Sequence, residues 1–304
     1  MKPGSPSPSI RGRDLWLAVT AAFLWGATFP VTAAALAETP PIFFTFLRFV
    51  CAAVFVIVIP RPQVPLGALV AIGLFFGLGQ YGLMFVSMTR GIPAGLASLL
   101  IHMQAFFTIL IAMILFGERL TRRQGVGIGL ALAGLLLLVS VMAGETGPQG
   151  GALIGLGLIL VAALSGAGGN IVLKSLGNAD MLGVAVWMSV VAPIPLLILS
   201  VFLEGNGSPA DLFGTITWTV VLAAVYSAGL ATVFAYAVWG RLFATYSAAA
   251  VAPFFLLVPV FGLGLSTLLL GERLSLLQIC GAGLIFAGLA LTVLPRRAVT
   301  EEGG

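Results

Sequence analysis

The chain has 304 residues, of which 60% are hydrophobic and 8% charged, with 14 Lys plus Arg against 10 Asp plus Glu. Soluble domains carry about 25% charged residues, so a soluble globular protein is excluded, as are disorder and, with only two Cys, a disulfide scaffold. What fits is an all-α polytopic membrane protein, because the apolar stretches run well beyond the roughly 10 residues a barrel strand uses.

Residues 1–13 read as a cytoplasmic tail, rich in Pro and Ser up to Ser9. Charges, prolines and polar clusters then divide the chain into ten apolar segments: 14–36, 42–59, 66–88, 93–116, 124–142, 150–173, 181–203, 213–239, 245–270 and 276–294. The first is too long for a signal-peptide core and is read as a span. It holds Trp25 and Thr28 in the run Trp25-Gly26-Ala27-Thr28-Phe29-Pro30. Span 2 carries Arg48 about six residues inside, either snorkelling to the outer interface or pairing with a carboxylate or polar loop at the outer opening. Span 3 sets Gln80, Tyr81 and Met84 beyond the small face of Gly73 and Gly77, which turns the polar pair toward the bundle.

Span 4 places His102 about nine residues in, near the midplane at 1.5 Å per residue. Ser98 and Phe106 share its face, while Gln104 points elsewhere on the helical wheel. Two readings stand for this ring, a neutral His bonded between helices and a substrate contact; a single His without acid or thiol neighbours makes no metal site. Gly117-Glu118-Arg119-Leu120 ends the span, Gly117 fitting a left-handed C-cap and Thr121 with Gln124 a capping box. Span 6 carries Ser165-Gly166-Ala167-Gly168-Gly169-Asn170, span 8 Tyr226, Tyr236 and Trp239, and span 9 Pro253, Phe254 and Pro259. Trp16, Trp218 and Trp239 read as interfacial anchors.

The first turn motif recurs 154 residues later as Gly271-Glu272-Arg273-Leu274, followed by Ser275 and Gln278. Gly127 meets Gly281 and Gly134 meets Gly288 at the same displacement, and Leu24, Gly26 and Ala27 meet Leu164, Gly166 and Ala167 at 140. The chain is therefore a duplication: a five-helix repeat over 14–143, a linker over 144–149, a second repeat over 150–294 and a cytoplasmic tail over 295–304. Five spans is an odd number, so the second repeat enters the membrane inverted, an architecture that puts a substrate site at the midplane between the halves. The Gly- and Pro-interrupted runs of spans 1 and 6 are the expected helix breaks, and a tight helical hairpin is the leading reading of the turn motif, with gating by Glu118 and Glu272 behind it. All but Arg48, Arg90 and Arg273 among the Lys and Arg fall on the side of the N-terminus, which puts both termini in the cytoplasm. The positive net charge follows from that bias and gives no argument for nucleic acid.

Ten spans in two halves, Trp25-Gly26 in span 1, Arg48 in span 2 and the paired Gly-Glu-Arg-Leu turns resemble the EamA branch of the drug/metabolite transporter superfamily, most of all its YddG-type amino-acid exporters. The resemblance covers residues 14–294. It implies a secondary transporter of the bacterial inner membrane, a monomer without cofactor or metal and not an enzyme, exporting aromatic and other neutral amino acids or similar small metabolites. The implied cavity would draw substrate contacts from Trp25, Thr28, Gln80, Tyr81, Met84, Ser98, His102, Asn170, Tyr226 and Phe254. Arg48, Glu118, Glu272 and Pro253 would gate or shape it. A sugar, nucleotide-sugar or drug transporter on the same scaffold is the alternative, with an intramembrane enzyme behind it. Ser165 stands where the first half has Trp25, and Met188 where it has Arg48.

Overall fold

The computed structural model describes residues 10–145, 151–177, 179–205 and 207–294; the tails before residue 10 and after 294, and residues 146–149 of the expected linker, lie outside them. Ten apolar helical spans follow one another: α1 Arg13–Leu36, α2 Pro41–Ile57, α3 Leu66–Thr89, α4 Ala94–Phe116, α5 Arg122–Ala143, α6 Gly151–Ser175, α7 Met181–Leu203, α8 Trp218–Thr245, α9 Ala250–Leu270 and α10 Leu276–Val293. α2 is the shortest and finishes in a 3-10 turn. The outer surface is apolar, with Ile114, Leu268 and Phe202 all more than 70% exposed. Inside, buried Ala and Gly let backbones approach, as packing in lipid demands, and Phe and Leu fill the remaining space.

Local chemistry sets the ends. Gly117 and Gly271 take φ of 65° and 66° as left-handed C-caps of α4 and α9. Thr121 and Ser275 then open α5 and α10, each accepting from the amide of its Gln three residues on while donating its own amide to that Gln side chain. α7 breaks between Met188 and Pro193, and α9 breaks at Leu256, between Pro253 and Pro259, because a proline cannot supply the amide that would continue the ladder.

The span 8 boundary moves. Residues 209–213 form a separate short helix, and Thr217 caps Val220 to start α8 at Trp218, so the span runs on to Thr245. Trp239 is consequently not an interfacial anchor: it is fully buried, stacked on Phe255 at 4.1 Å between ring centroids. Trp16 and Trp218 are 72% and 80% exposed, as anchors should be. The expected breaks in spans 1 and 6 are also absent, since α1 and α6 are continuous, Pro30 included. The irregular winding lies instead in α3 and α8, which carry π-helical segments over Gly73–Gly82 and Gly229–Phe234.

These two segments reveal the inversion. Trp25 Nε1 donates to the carbonyl of Ala231 at 2.6 Å, and Ser165 Oγ donates to that of Phe75 at 2.8 Å. Trp25 and Ser165 are repeat mates, and Ala231 and Phe75 are each the third residue of a π segment, where the wider winding frees carbonyls. The helix pair α5 and α10 shows it again. A Cβ on Gly134 would lie 2.5 Å from the carbonyl oxygen of Gly281, and one on Gly288 would lie 2.3 Å from that of Gly127. Because Gly127 corresponds to Gly281 and Gly134 to Gly288, each contact maps onto the other by a pseudo-twofold rotation between antiparallel helices. Replacing Gly288 by Leu should cost about 1–3 kcal/mol by forcing the backbones apart, measured as a lower thermal-unfolding midpoint in detergent. Gly129→Ala, whose Cβ meets open space, should leave the midpoint unchanged.

Candidate functional site

A cavity of about 340 Å³ lies between the halves. Trp25, Thr28, Arg48, Gln80, Tyr81, Met84, His102 and Asn170 all line it. Ser98, Tyr226 and Phe254 do not. Ser98 is fully buried against Gly262, its hydroxyl donating to the Gly95 carbonyl. Tyr226 donates to the Leu24 carbonyl at 2.7 Å, and Phe254 packs into the cluster around Trp239.

One wall is aromatic. Trp25, held by its bond to α8, sits 5.4 Å from Tyr236 and 5.7 Å from Phe255 between ring centroids, and Phe243, 6.0 Å from Phe255, extends the same surface. The opposite wall is an amide network. Gln80 Nε2 donates to Gln104 Oε1 at 2.8 Å, Asn170 Nδ2 to Thr108 Oγ1 at 3.2 Å, and Thr108 in turn to the Gln104 carbonyl. Gly166 leaves room for it, since a Cβ there would stand 2.3 Å from Gln104 Oε1. Gln104 was expected to point away from His102, yet both line the cavity. The cause is the 3-10 turn at Ile101–Met103: at about 120° rather than 100° per residue, two steps bring Gln104 about 40° closer to the His102 face. His102 Nδ1 bonds the Ser98 carbonyl of its own helix at 2.7 Å, which leaves Nε2 as the free acceptor of the neutral ring.

Arg48 follows neither expected course. It is buried, its guanidinium carbon 3.6 Å from the centroid of the Tyr81 ring and 5.4 Å from that of Phe49, and Nη1 has no hydrogen-bond partner. Snorkelling fails because α2 is packed against α8, α7 and α3; pairing fails because no ion pair among the described residues involves Arg48 and the carboxylate at the start of its helix is used elsewhere. That carboxylate, Glu204, accepts the amides of Ile42 and Phe43 at 2.8 and 3.0 Å, at the N-terminus of α2, and the hydroxyl of Ser200.

Glu272 makes the same clamp on α4, accepting from Ala94 and Gly95 at 2.6 and 2.9 Å. Thr39 and Thr215 share a hydrogen bond of 2.7 Å, and Glu38 accepts from Thr217, so four cross-connections close one face of the bundle. On the opposite face the cavity reaches Leu173, Met181 and Phe243. The charged links there are exposed ones: Lys174 pairs with Glu118, and Asp14 accepts from Arg241 and Tyr246. The bond to Asp14 raises the Tyr246 phenol above its ordinary pKa. Glu118 and Glu272 are thus repeat mates with different partners.

A family model described as the EamA-like transporter family matches residues 13–140 and 153–294. A probable amino-acid metabolite efflux pump of Salmonella typhimurium is 38% identical over 286 residues, covering 92% of this chain and 95% of that protein. Its counterpart in Escherichia coli K12 is 38% identical over 290 residues, covering 94% and 96%. A probable terminal-alkyne amino-acid exporter of Streptantibioticus cattleyicolor is 25% identical, covering 96% and 98%. A solved chain superposes with a TM-score of 0.64 over 97% of this chain and 100% of its own, at 18% identity, a likeness of fold.

Charge-assisted bonds to two helix-end amides are each worth about 1.5–3 kcal/mol, so Glu272→Ala should speed hydrogen exchange at Ala94 and Gly95. Glu118→Ala breaks only an exposed ion pair of about 0–1 kcal/mol and should leave exchange at those amides unchanged.

Proposed function

The chain belongs to the EamA-like transporter family, and we propose that it exports amino acids or closely related metabolites across the bacterial inner membrane by alternating access. The observation that carries the reading is the cavity between the inverted halves, which reaches Leu173, Met181 and Phe243 toward one face while the Glu204 and Glu272 clamps tie helices together at the other, and which we read as open on the first face and closed on the second. With both termini in the cytoplasm, as the bias of Lys and Arg supports, the open face is cytoplasmic and the clamped face external. That is the state an exporter loads from. An aromatic wall opposite an amide network suits a small molecule with an apolar side chain and a polar head.

The cycle follows from the symmetry. Each half can adopt the other's arrangement, so the external clamps release as equivalent contacts form on the cytoplasmic face. Trp25, Gln80, Tyr81, Met84, His102 and Asn170 are the substrate contacts, and the monomer is the transporting unit. Among the described residues Arg48 is the only charged one lining the cavity, which disfavours sugar-phosphate and nucleotide-sugar substrates, whose several negative charges call for more cations. An intramembrane enzyme would need paired acids or an activated nucleophile beside His102; the family and the relatives favour transport instead.

Reconstituted in proteoliposomes, the protein should show saturable flux of labelled amino acids; flux of none of them would overturn the proposal. His102→Ala and Tyr81→Ala should each raise the apparent Km about 3–10-fold, the equivalent of one hydrogen bond, in protein that remains monodisperse. An imposed pH gradient decides the driving force: proton coupling predicts accumulation against the substrate gradient, facilitation predicts equilibration only.

A further inference from the structure

Arg48 carries a permanent charge to a place where nothing fixed answers it. The residue is 4% exposed, it lines the cavity, and Nη1 has no hydrogen-bond partner among the described residues. Its ring contacts are with Tyr81 and Phe49, and a ring face offsets only part of the desolvation of a buried guanidinium. Glu204, at the start of the same helix, has both oxygens committed to Ile42, Phe43 and Ser200. The ion pairs among the described residues, Lys174 with Glu118 and Arg241 with Asp14, do not involve it. No Asp or Glu among the described residues lines the cavity, so their charge in the chamber is one fixed positive and no fixed negative.

We propose that Arg48 is the anchor for the substrate's carboxylate, and that this single charge makes the cavity selective for monocarboxylates rather than for zwitterions as such. Contact with the Tyr81 ring at 3.6 Å positions the guanidinium, and Nη1, on the edge that matches a carboxylate in a two-point bond, has no partner among the described residues. A substrate's ammonium group finds only neutral acceptors: the amides of Gln80, Gln104 and Asn170, or Nε2 of His102. Masking or removing the amine therefore loses little, and it brings the ligand's net charge to the value that complements the cavity. N-acylated amino acids and 2-oxo acids bind at least as well as the parent amino acids. Amino-acid amides and simple amines, which lack the carboxylate and add a positive charge, bind poorly.

The inference rests on the transport reading for its substrate, and the test separates the two. Calorimetry on the detergent-purified full chain compares, for phenylalanine, methionine and serine side chains, the L-amino acid, its N-acetyl derivative and its amide. In the wild type the N-acetyl acid should bind as tightly as the amino acid or tighter, and the amide about tenfold or more weaker. Arg48→Gln should erase the difference between acid and amide, and Arg48→Lys, which keeps the charge without the fork, should restore part of it. Equal binding of acid and amide by the wild type overturns the proposal, as does binding of none of the acids, or a preference for acid that survives in Arg48→Gln. The wild-type series decides alone if the variants fail to fold. Acid-selective binding without proteoliposome flux supports the anchor and removes transport; flux without acid selectivity does the reverse.

Discussion

The contact of α5 with α10 is the constraint on which the rest of the molecule depends. At Gly127 with Gly288, and at Gly134 with Gly281, the helices approach until a glycine hydrogen on one faces a carbonyl oxygen on the other. Lipid gives apolar side chains no reason to bury themselves, so helices are held by closeness of packing and by hydrogen bonds. Four glycines provide that closeness, and their pairing is only consistent with two antiparallel copies of one unit. The same symmetry relates the other contacts, α1 on α8 and α6 on α3. The cavity occupies the space between the two halves thus related.

Its walls differ because the two copies have diverged. Trp25 and Ser165 make the same bond to the third carbonyl of a π segment, but one brings an indole and the other a hydroxyl. One side of the chamber is accordingly aromatic, while Gly166 makes room on the other for the paired amides of Gln80 and Gln104. Glu118 and Glu272 diverge in partner rather than in identity. Glu272 ties down the N-terminus of α4, whereas Glu118 pairs with Lys174. A duplication in one rigid state has to break symmetry somewhere, and it breaks at the two ends of the cavity.

The features legible in the sequence were those set by local chemistry or by strong periodicity. Glycine caps, capping boxes, the duplication and the ten apolar runs need only neighbours within a few residues, or a repeated motif. The start of α8 was misplaced because the apolar run begins at Phe213 while the cap sits at Thr217, and the displaced end made buried Trp239 look like an anchor. π winding was invisible, since a change of period over only six to ten residues leaves no pattern to read. Gln104 was missed for a related reason, the 3-10 turn that rotates it. For Arg48 the sequence offered the lipid interface, an acid partner or a polar loop; the tertiary packing that buries it over Tyr81 while Glu204 is held by backbone amides lay beyond local reading.

Exchange between the two states requires the clamped face to open, and Thr39 and Thr215, whose hydroxyls meet at 2.7 Å, give a way to prevent it. Thr39→Cys with Thr215→Cys, in a chain whose Cys51 and Cys280 have been replaced by Ala, can be oxidised to lock that face shut. The alternating-access mechanism predicts that the disulfide abolishes proteoliposome flux while substrate still binds, and that reduction restores transport. Undiminished flux through the cross-linked protein would contradict it.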